Sequence, residues 1–375
     1  MAEPTRQDLD ELETVEIKVN MGPQHPSTHG VFRMVLTIDG EKIVDCVPHI
    51  GYLHRGSEKV AEGEQFHQVV TLFDRLDYLA NFNNELVYCM AVEKVMGLQA
   101  PERAQYIRVL LSELQRIASH FLLVSSFGLD TGALTPGLYA FRGRERILML
   151  FEAVSGARMM HNYFHIGGVK DDLPEDFDKR LGELLPILKF DIEECDKLLS
   201  FNEVFLARTR GVGVIDTATA IDYGMTGCGL RATGLAYDVR KAQPYSSYEK
   251  FDFDIPTGQH GDCWDRYWMR VQEMYQSLRI VEQAWKQMPK GPVNAIGRRL
   301  LRPPKGEAYV RAENPRGEIG VYLVTDGTDK PYRLKVRPPS YCNLVALQHM
   351  LKNQYLADCV VIFGSLDIVL GEVDR

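Results

Sequence analysis

Apolar and polar residues alternate from Thr14 to Val19, again from Val31 to Ile38, and again from Glu41 to Val47, with Asp39-Gly40 between the last two runs. Alternation of period two broken by Asp-Gly predicts strands, the second and third joined as a hairpin through a two-residue turn. From Ser57 the period lengthens, and Val60, Phe66, Val69, Val70 and Phe73 recur among polar residues at helical spacing. Helices are expected near 58–73, 77–96, 102–126, 142–162, 175–200 and 265–288, with Pro101 and Pro174 as helix-start residues. Near the carboxyl end, Glu318 to Val324 and Tyr332 to Val336 flank Asp326-Gly327 as a second hairpin, which Arg337-Pro338-Pro339 ends before a last helix near 342–356. The fold class this predicts is α+β and mostly helical, a helical bundle with small β-sheets or hairpins at its ends.

The length of 375 residues suits either two domains or one large core with appended hairpins. The division expected is an amino-terminal β module over residues 1–56, followed by a helical bundle core over 57–375 with a β hairpin and a buried tail at its end. A composition of 45% hydrophobic and 25% charged residues is that of a globular protein, after a polar, acidic first dozen residues. The net charge of -8 lacks the dominant basic face that a phosphate backbone requires, so no nucleic-acid partner is expected. Seven cysteines stand singly and never as C-x-x-C, so no zinc or iron–sulfur framework is written here and reduced thiols in a cytosolic compartment are expected. The most apolar stretches, such as Val360 to Phe363, fall far short of the roughly 18 residues that span a bilayer.

The candidate chemistry begins in the loop Met21-Gly22-Pro23-Gln24-His25-Pro26-Ser27-Thr28-His29-Gly30-Val31. On a helix the i, i+4 spacing of His25 and His29 would suit a metal, but Pro26 turns His25 away from helical geometry and the flanking breakers make a loop. Two titratable rings presented to a cavity point to proton delivery, set against the plainer reading of a solvated turn. His54 and Arg55 lie just before a helix start, where they are either solvated charges or a permanent positive charge facing an electron carrier or anion. Phe73-Asp74-Arg75-Leu76-Asp77-Tyr78 packs acids, a base and a phenol into one turn; Asp74 and Asp77 suit capping, and Tyr78 is either core or a hydrogen-bond donor to a carbonyl. Asp130 closes the helix that holds His120, as an exposed turn residue or as the partner that raises an imidazole's pKa.

Other chemistries lack their signatures. Arg210-Gly211-Val212-Gly213-Val214 has no third glycine and no strand-turn-helix context, so dinucleotide binding by this chain is rejected. No Walker-type loop, Gly-x-Ser-x-Gly elbow or His-Glu-x-x-His helix occurs either.

Together these loops resemble the family of quinone-site subunits of the proton-pumping NADH:quinone oxidoreductase, respiratory complex I, which descends from the large subunit of nickel-iron hydrogenases. The likeness runs from about Val15 to the terminal Gly364-Ser365-Leu366-Asp367-Ile368-Val369-Leu370-Gly371-Glu372-Val373-Asp374-Arg375. In hydrogenases of that ancestry two C-x-x-C motifs hold nickel and iron, whereas this chain reads His54-Arg55-Gly56-Ser57 and Gly371-Glu372-Val373-Asp374. Without thiolates the ancestral metal has no soft ligands, so hydrogenase activity is rejected, no metal site is expected, and the old cavity is free for an organic carrier.

The resemblance implies a hydrogenase-large-subunit-like bundle and a quinone headgroup bound between this chain and a smaller iron–sulfur subunit whose terminal [4Fe-4S] cluster supplies electrons. His29 and Tyr78 would hydrogen-bond the headgroup, Asp130 would pair with His29, His25 would support the loop, and Arg55 and Arg75 would lie beside the cluster. NADH would be used by the complex and not by this chain, and proton translocation would belong to separate membrane subunits. The chain would be a peripheral membrane protein on the cytoplasmic side of a bacterial cell membrane, among other peripheral-arm and membrane-arm subunits. One departure stands out: mitochondrial and many bacterial relatives carry Arg-Met-His at the end of the fifth helix, where this chain has Arg158-Met159-Met160-His161. On a helix a shift of one residue turns a side chain by about 100°, which would point His161 away from that column. The Met-Met-His-Asn-Tyr form is closer to photosynthetic relatives fed by ferredoxin, so a ferredoxin-fed quinone reductase is one rival reading and a non-catalytic scaffold subunit the other.

Overall fold

The computed structural model of the protein describes residues 15–25, 28, 30–297 and 300–375. Its fold is α+β and mostly helical. Strands β1 (Glu16–Met21), β2 (Arg33–Asp39) and β3 (Lys42–His49) form an antiparallel sheet in the order β1-β2-β3. On β2, Met34, Leu36 and Ile38 are buried, while Arg33, Val35, Thr37 and Asp39 stay partly exposed. The turn falls one residue later than the Asp-Gly pair suggests: Asp39 pairs with Lys42, so Gly40-Glu41 is the loop, and Gly40 takes the φ of 58° that glycine tolerates.

The helix expected over 58–73 is two helices, α1 (Ser57–Ala61) and α2 (Phe66–Phe73), because the chain breaks at Gly63 and Gln65 caps α2 reciprocally with Gln68. Helices α3 (Asn81–Met96) and α4 (Glu102–Asp130) follow, then α5 (Leu134–Ser155), which replaces the helix expected over 142–162. Pro136 lies in the first turn of α5, where a missing N–H costs nothing, and Gly156 ends the helix at φ 83°. Residues 158–162 therefore lie beyond the helix, and the helical rotation argument for His161 does not apply.

Two-residue strands β4 (Phe164–His165) and β5 (Gly168–Val169) lead to α6 (Phe177–Leu199), then to short helices α7 (Glu203–Thr209), α8 (Thr217–Asp222), α9 (Cys228–Arg231) and α10 (Val239–Ala242), and to α11 (Cys263–Gln287). A second antiparallel sheet, in the order β6-β7-β8, comprises β6 (Gly306–Asn314), β7 (Gly317–Thr325) and β8 (Arg333–Arg337). Strands β7 and β8 are the hairpin expected around Asp326-Gly327. The expected last helix divides into α12 (Pro339–Val345) and α13 (Leu347–Leu351), and α14 (Asp358–Leu366) and α15 (Leu370–Asp374) complete the chain.

Helix α4 is the axis of the molecule, packed by α5, α11 and α14 and buried from Tyr106 almost without interruption to Phe121. A helix enclosed on every side buries whatever it carries, here Arg108, Glu113, Arg116 and His120, which must find partners inside the protein: Glu93 for Arg108, Arg116 and Arg240 for Glu113, and Glu273 for His120. The apolar core is continuous from Phe32, Met34 and Leu36 of the first sheet to Phe363 and Val373, and the Phe32 ring stacks on Phe363 with centroids 4.9 Å apart. All seven cysteines are unpaired thiols. Among the described residues no helix is long and apolar enough to cross a membrane.

Candidate functional site

The segments His54-Arg55-Gly56-Ser57 and Gly371-Glu372-Val373-Asp374 meet at one joint. Asp374 accepts hydrogen bonds from the backbone N–H of Gly51 at 2.8 Å and of Leu53 at 2.7 Å, and its carbonyl lies 2.6 Å from His54 Nδ1. The backbone N–H groups of Arg55 and Ser57 donate to the Arg375 carbonyl at 3.3 and 3.2 Å. His54 thus ties the tail to the loop, and a cavity of about 350 Å³ opens beside it between Ile50, Glu58, Tyr341 and Arg375.

Three expected site residues gather against this joint. The Arg55 guanidinium donates to the Arg75 carbonyl at 2.5 Å, and Arg75 donates back along α2 to the Thr71 carbonyl at 2.8 Å. Both side chains face solvent, so two permanent positive charges share one rim of the protein. Tyr78 lies in the turn between α2 and α3, and its ring touches Gly371 so closely that a Cβ there would sit 3.2 Å from Cδ1. Burial, then the neighbouring Asp77 carboxylate, raises the phenol's pKa, against the opposing pull of Arg316 and Arg55. Tyr78 is therefore protonated at neutral pH and has a proton to give.

Asp130 and the loop that follows β1 both meet α14. Asp130 ends α4 half-buried, with Oδ2 3.1 Å from where a Cβ on Gly364 would stand. The loop after β1 reaches the same helix through the Phe32–Phe363 stack and a 3.7 Å contact between Met21 Sδ and Cys359 Sγ. Thr28, wholly buried, knots that loop: its hydroxyl donates to the carbonyls of Pro23 at 3.1 Å and His25 at 2.9 Å. Gly22 permits the knot, since a Cβ on it would lie 2.1 Å from the Phe32 carbonyl oxygen. His25 is half-buried within it. His29 and its expected pairing with Asp130 lie outside the described residues.

The expected column change at Met160 takes a different form. Met160 and Asn162 adopt φ of 58° and 44°, and Asn81 holds Met160 by accepting from its N–H at 3.3 Å. His161 turns inward, stacked on Phe82 with centroids 4.1 Å apart, and burial brings its pKa down to about 4, so the ring is neutral.

A model of the family described as "Respiratory-chain NADH dehydrogenase, 49 Kd subunit" matches residues 130–303 and 296–375. The chain belongs to this family. It is similar to proteins that carry the name of an NADH-quinone oxidoreductase subunit. That of Dehalococcoides mccartyi is 53% identical over 365 residues, 97% of this chain and 100% of that protein. Those of Carboxydothermus hydrogenoformans and Bacillus cereus are 49% identical over 363 residues and 51% identical over 364, with the same coverage.

In this member of the 49 kDa family, the buried partners of Asp77 behind Tyr78 escaped sequence reasoning, which took Asp77 for a cap. Asp77, fully buried, accepts from Arg316 at 2.8 Å; Arg316 also donates to Ser119 Oγ at 2.8 Å and to Asp367 at 3.2 Å. Arg270 lies 3.6 Å from Asp367 on its other side. Burial, then the Asp77 charge, pushes Glu372 up to about 8, so two carboxylates balance two guanidiniums and Glu372 keeps its proton. These groups come from five separate stretches of chain, and only the acidic turn Asp74–Tyr78 carried a signal. A second buried cluster, His120, Cys228 and Glu273, brings three potential ligand atoms within 4.8 Å. Arg231 already pairs there with Glu273 and Glu313, His120 Nε2 is 2.8 Å from Glu273, and burial pushes the Cys228 thiol up to about 12. The guanidinium fills the place a cation would take.

Proposed function

We propose that this chain is the quinone-site subunit of a membrane-associated NADH:quinone oxidoreductase that takes electrons from a partner subunit's [4Fe-4S] cluster and passes them to quinone. The observation that carries the reading is the joint between residues 51–57 and the tail, where a protonated Tyr78 adjoins the Arg55–Arg75 rim in a chain of the 49 kDa family. Reducing a quinone to a quinol takes two electrons and two protons, and this chain has donors but no redox ligands. The electrons come from the partner. One proton goes from Tyr78 Oη to a quinone carbonyl oxygen, and the other from His29, with Asp130 holding the imidazole charged. Arg55 and Arg75 stabilise negative charge arriving on an acceptor beside them, which raises its potential. NADH serves the complex through other subunits, and separate membrane subunits move the pumped protons. The protein works at the cytoplasmic face of the bacterial membrane, held there by its partners.

The test compares membranes carrying Tyr78→Phe or His29→Ala with wild type, using NADH with a soluble quinone and, separately, with ferricyanide, which accepts electrons upstream. Quinone reduction should fall by roughly 10²-fold with ferricyanide reduction and complex abundance retained. Unchanged quinone kinetics in both variants would leave a scaffold subunit. Quinone reduction by wild-type membranes with reduced ferredoxin, but not with NADH, would change the donor and keep the acceptor.

A further inference from the structure

Asp74 and Glu85, both buried, grip three consecutive backbone N–H groups of one segment. Asp74 Oδ2 accepts from Asn162 at 3.2 Å, and Glu85 Oε2 accepts from Tyr163 at 3.0 Å and Phe164 at 2.6 Å. The remaining oxygens, Asp74 Oδ1 and Glu85 Oε1, are enclosed and lack any donor, and the two carboxyl groups lie within side-chain hydrogen-bonding reach of each other. Two carboxylate oxygens are both acceptors; only a proton between them makes that contact a bond.

We propose that Asp74 and Glu85 share one proton, and that this acid–carboxylate pair is a proton-dependent clamp holding the Met160–Phe164 segment against the turn that bears Arg75 and Tyr78. The segment needs holding. Met160 and Asn162 are non-glycine residues in the left-handed region, a conformation that side chains with a Cβ adopt only when the surroundings hold them there. Asn81 completes the grip, donating to the Asp74 carbonyl at 2.6 Å and to Met160 Sδ at 3.5 Å, and the Cys89 thiol donates to the Phe164 carbonyl at 3.6 Å.

Among the described residues, the two cations that act on the pair, Arg75 on Asp74 and Arg108 on Glu85, are exposed or committed elsewhere. Arg108 on α4 is committed to Glu93 at 2.6 and 3.1 Å and to the carbonyls of Gly168 and His165. Arg75, next to Asp74, is exposed, and burial holds the Cys89 thiol in its protonated form. Burial raises both carboxyls, that of Glu85 well above the usual range. When base removes the shared proton, two buried like charges repel and the strained segment is released. Asp74 and Glu85 are positioning residues: they hold the turn that carries the donor and do not touch quinone.

The proton-sharing half of this inference stands apart from the quinone reading; its effect on turnover rests on that reading. Infrared difference spectra of the intact complex against pH should contain a protonated-carboxyl stretch that vanishes on the alkaline side and is lost in both Glu85→Gln and Asp74→Asn. A glutamine at 85 can still accept from Tyr163 and Phe164 and donate to Asp74, so the clamp survives without a titrating proton. The alkaline fall of quinone reduction, measured relative to each enzyme's own maximum, should be lost in Glu85→Gln, while Glu85→Ala is slow at every pH. Persistence of the band in both variants, or an identical alkaline fall in wild type and Glu85→Gln, overturns the proposal. Loss of the band beside normal quinone turnover in Tyr78→Phe would instead retain the shared proton and overturn the quinone reading.

Discussion

Arg316, from the turn between β6 and β7, bonds Asp77 at 2.8 Å in the fully buried position immediately before Tyr78. The two residues are 239 positions apart in sequence. Their ion pair sets the turn from which the phenol projects, and it is enclosed with Ser119 and Asp367 so that no solvent replaces a lost partner.

Removing the guanidinium strands a buried carboxylate. Arg316→Met should destabilise the protein by about 3–5 kcal/mol, read as a lower melting temperature of the complex or as loss of this subunit from it. The double variant Arg316→Met, Asp77→Leu should recover much of that loss, because the orphan charge goes with its partner. Equal instability in the single and double variants would show that packing, not the unpaired charge, dominates.

Glu372 gives a pH dependence of defined sign. Its pKa of about 8 lies above that of a carboxyl in the unfolded chain, so the folded state binds more protons between the two values. Stability contributed by this group is complete below the unfolded pKa and is lost as pH rises towards 8, at up to about 1.4 kcal/mol per pH unit for one proton. Denaturant unfolding at pH 6, 7 and 8 (roughly the span this linkage covers) should show a decline in wild type that is shallower in Glu372→Gln. Equal slopes would assign the decline to other groups, among them Glu313, which burial and then the Asp238 charge push up to about 7.

Gly371 transmits the tail's position to the donor. A Cβ there would lie 2.7 Å from the Leu76 carbonyl oxygen and 3.2 Å from both Arg75 O and Tyr78 Cδ1, so Gly371→Ala must move the turn. The cost expected is about 1–3 kcal/mol of stability, with quinone turnover reduced by roughly tenfold and ferricyanide reduction unchanged. Full quinone turnover in an assembled Gly371→Ala complex would show that the turn tolerates displacement.

The sequence by itself determined the elements whose signal is local. Alternation on β2, the Asp326-Gly327 turn, and the helical periodicity of α3, α4 and α11 are each written in neighbouring residues, and the structure returns them within a few positions. Motif content likewise singled out Arg55, Arg75 and Tyr78, which the fold gathers at one joint. Tertiary structure decided the rest. Strand β6 escaped notice because its buried residues include Ala308, Ala312, Glu313 and Asn314, small or polar side chains that a hydrophobic pattern does not register. The early start of α5 depended on Pro136 falling in a first turn, which only packing against α4 selects. The partners of Asp77, Glu85 and Glu372 lie on distant elements, and a buried charge takes its pKa from what encloses it. Composition can name the acid, but enclosure decides whether it is a cap, a counter-charge or a stored proton.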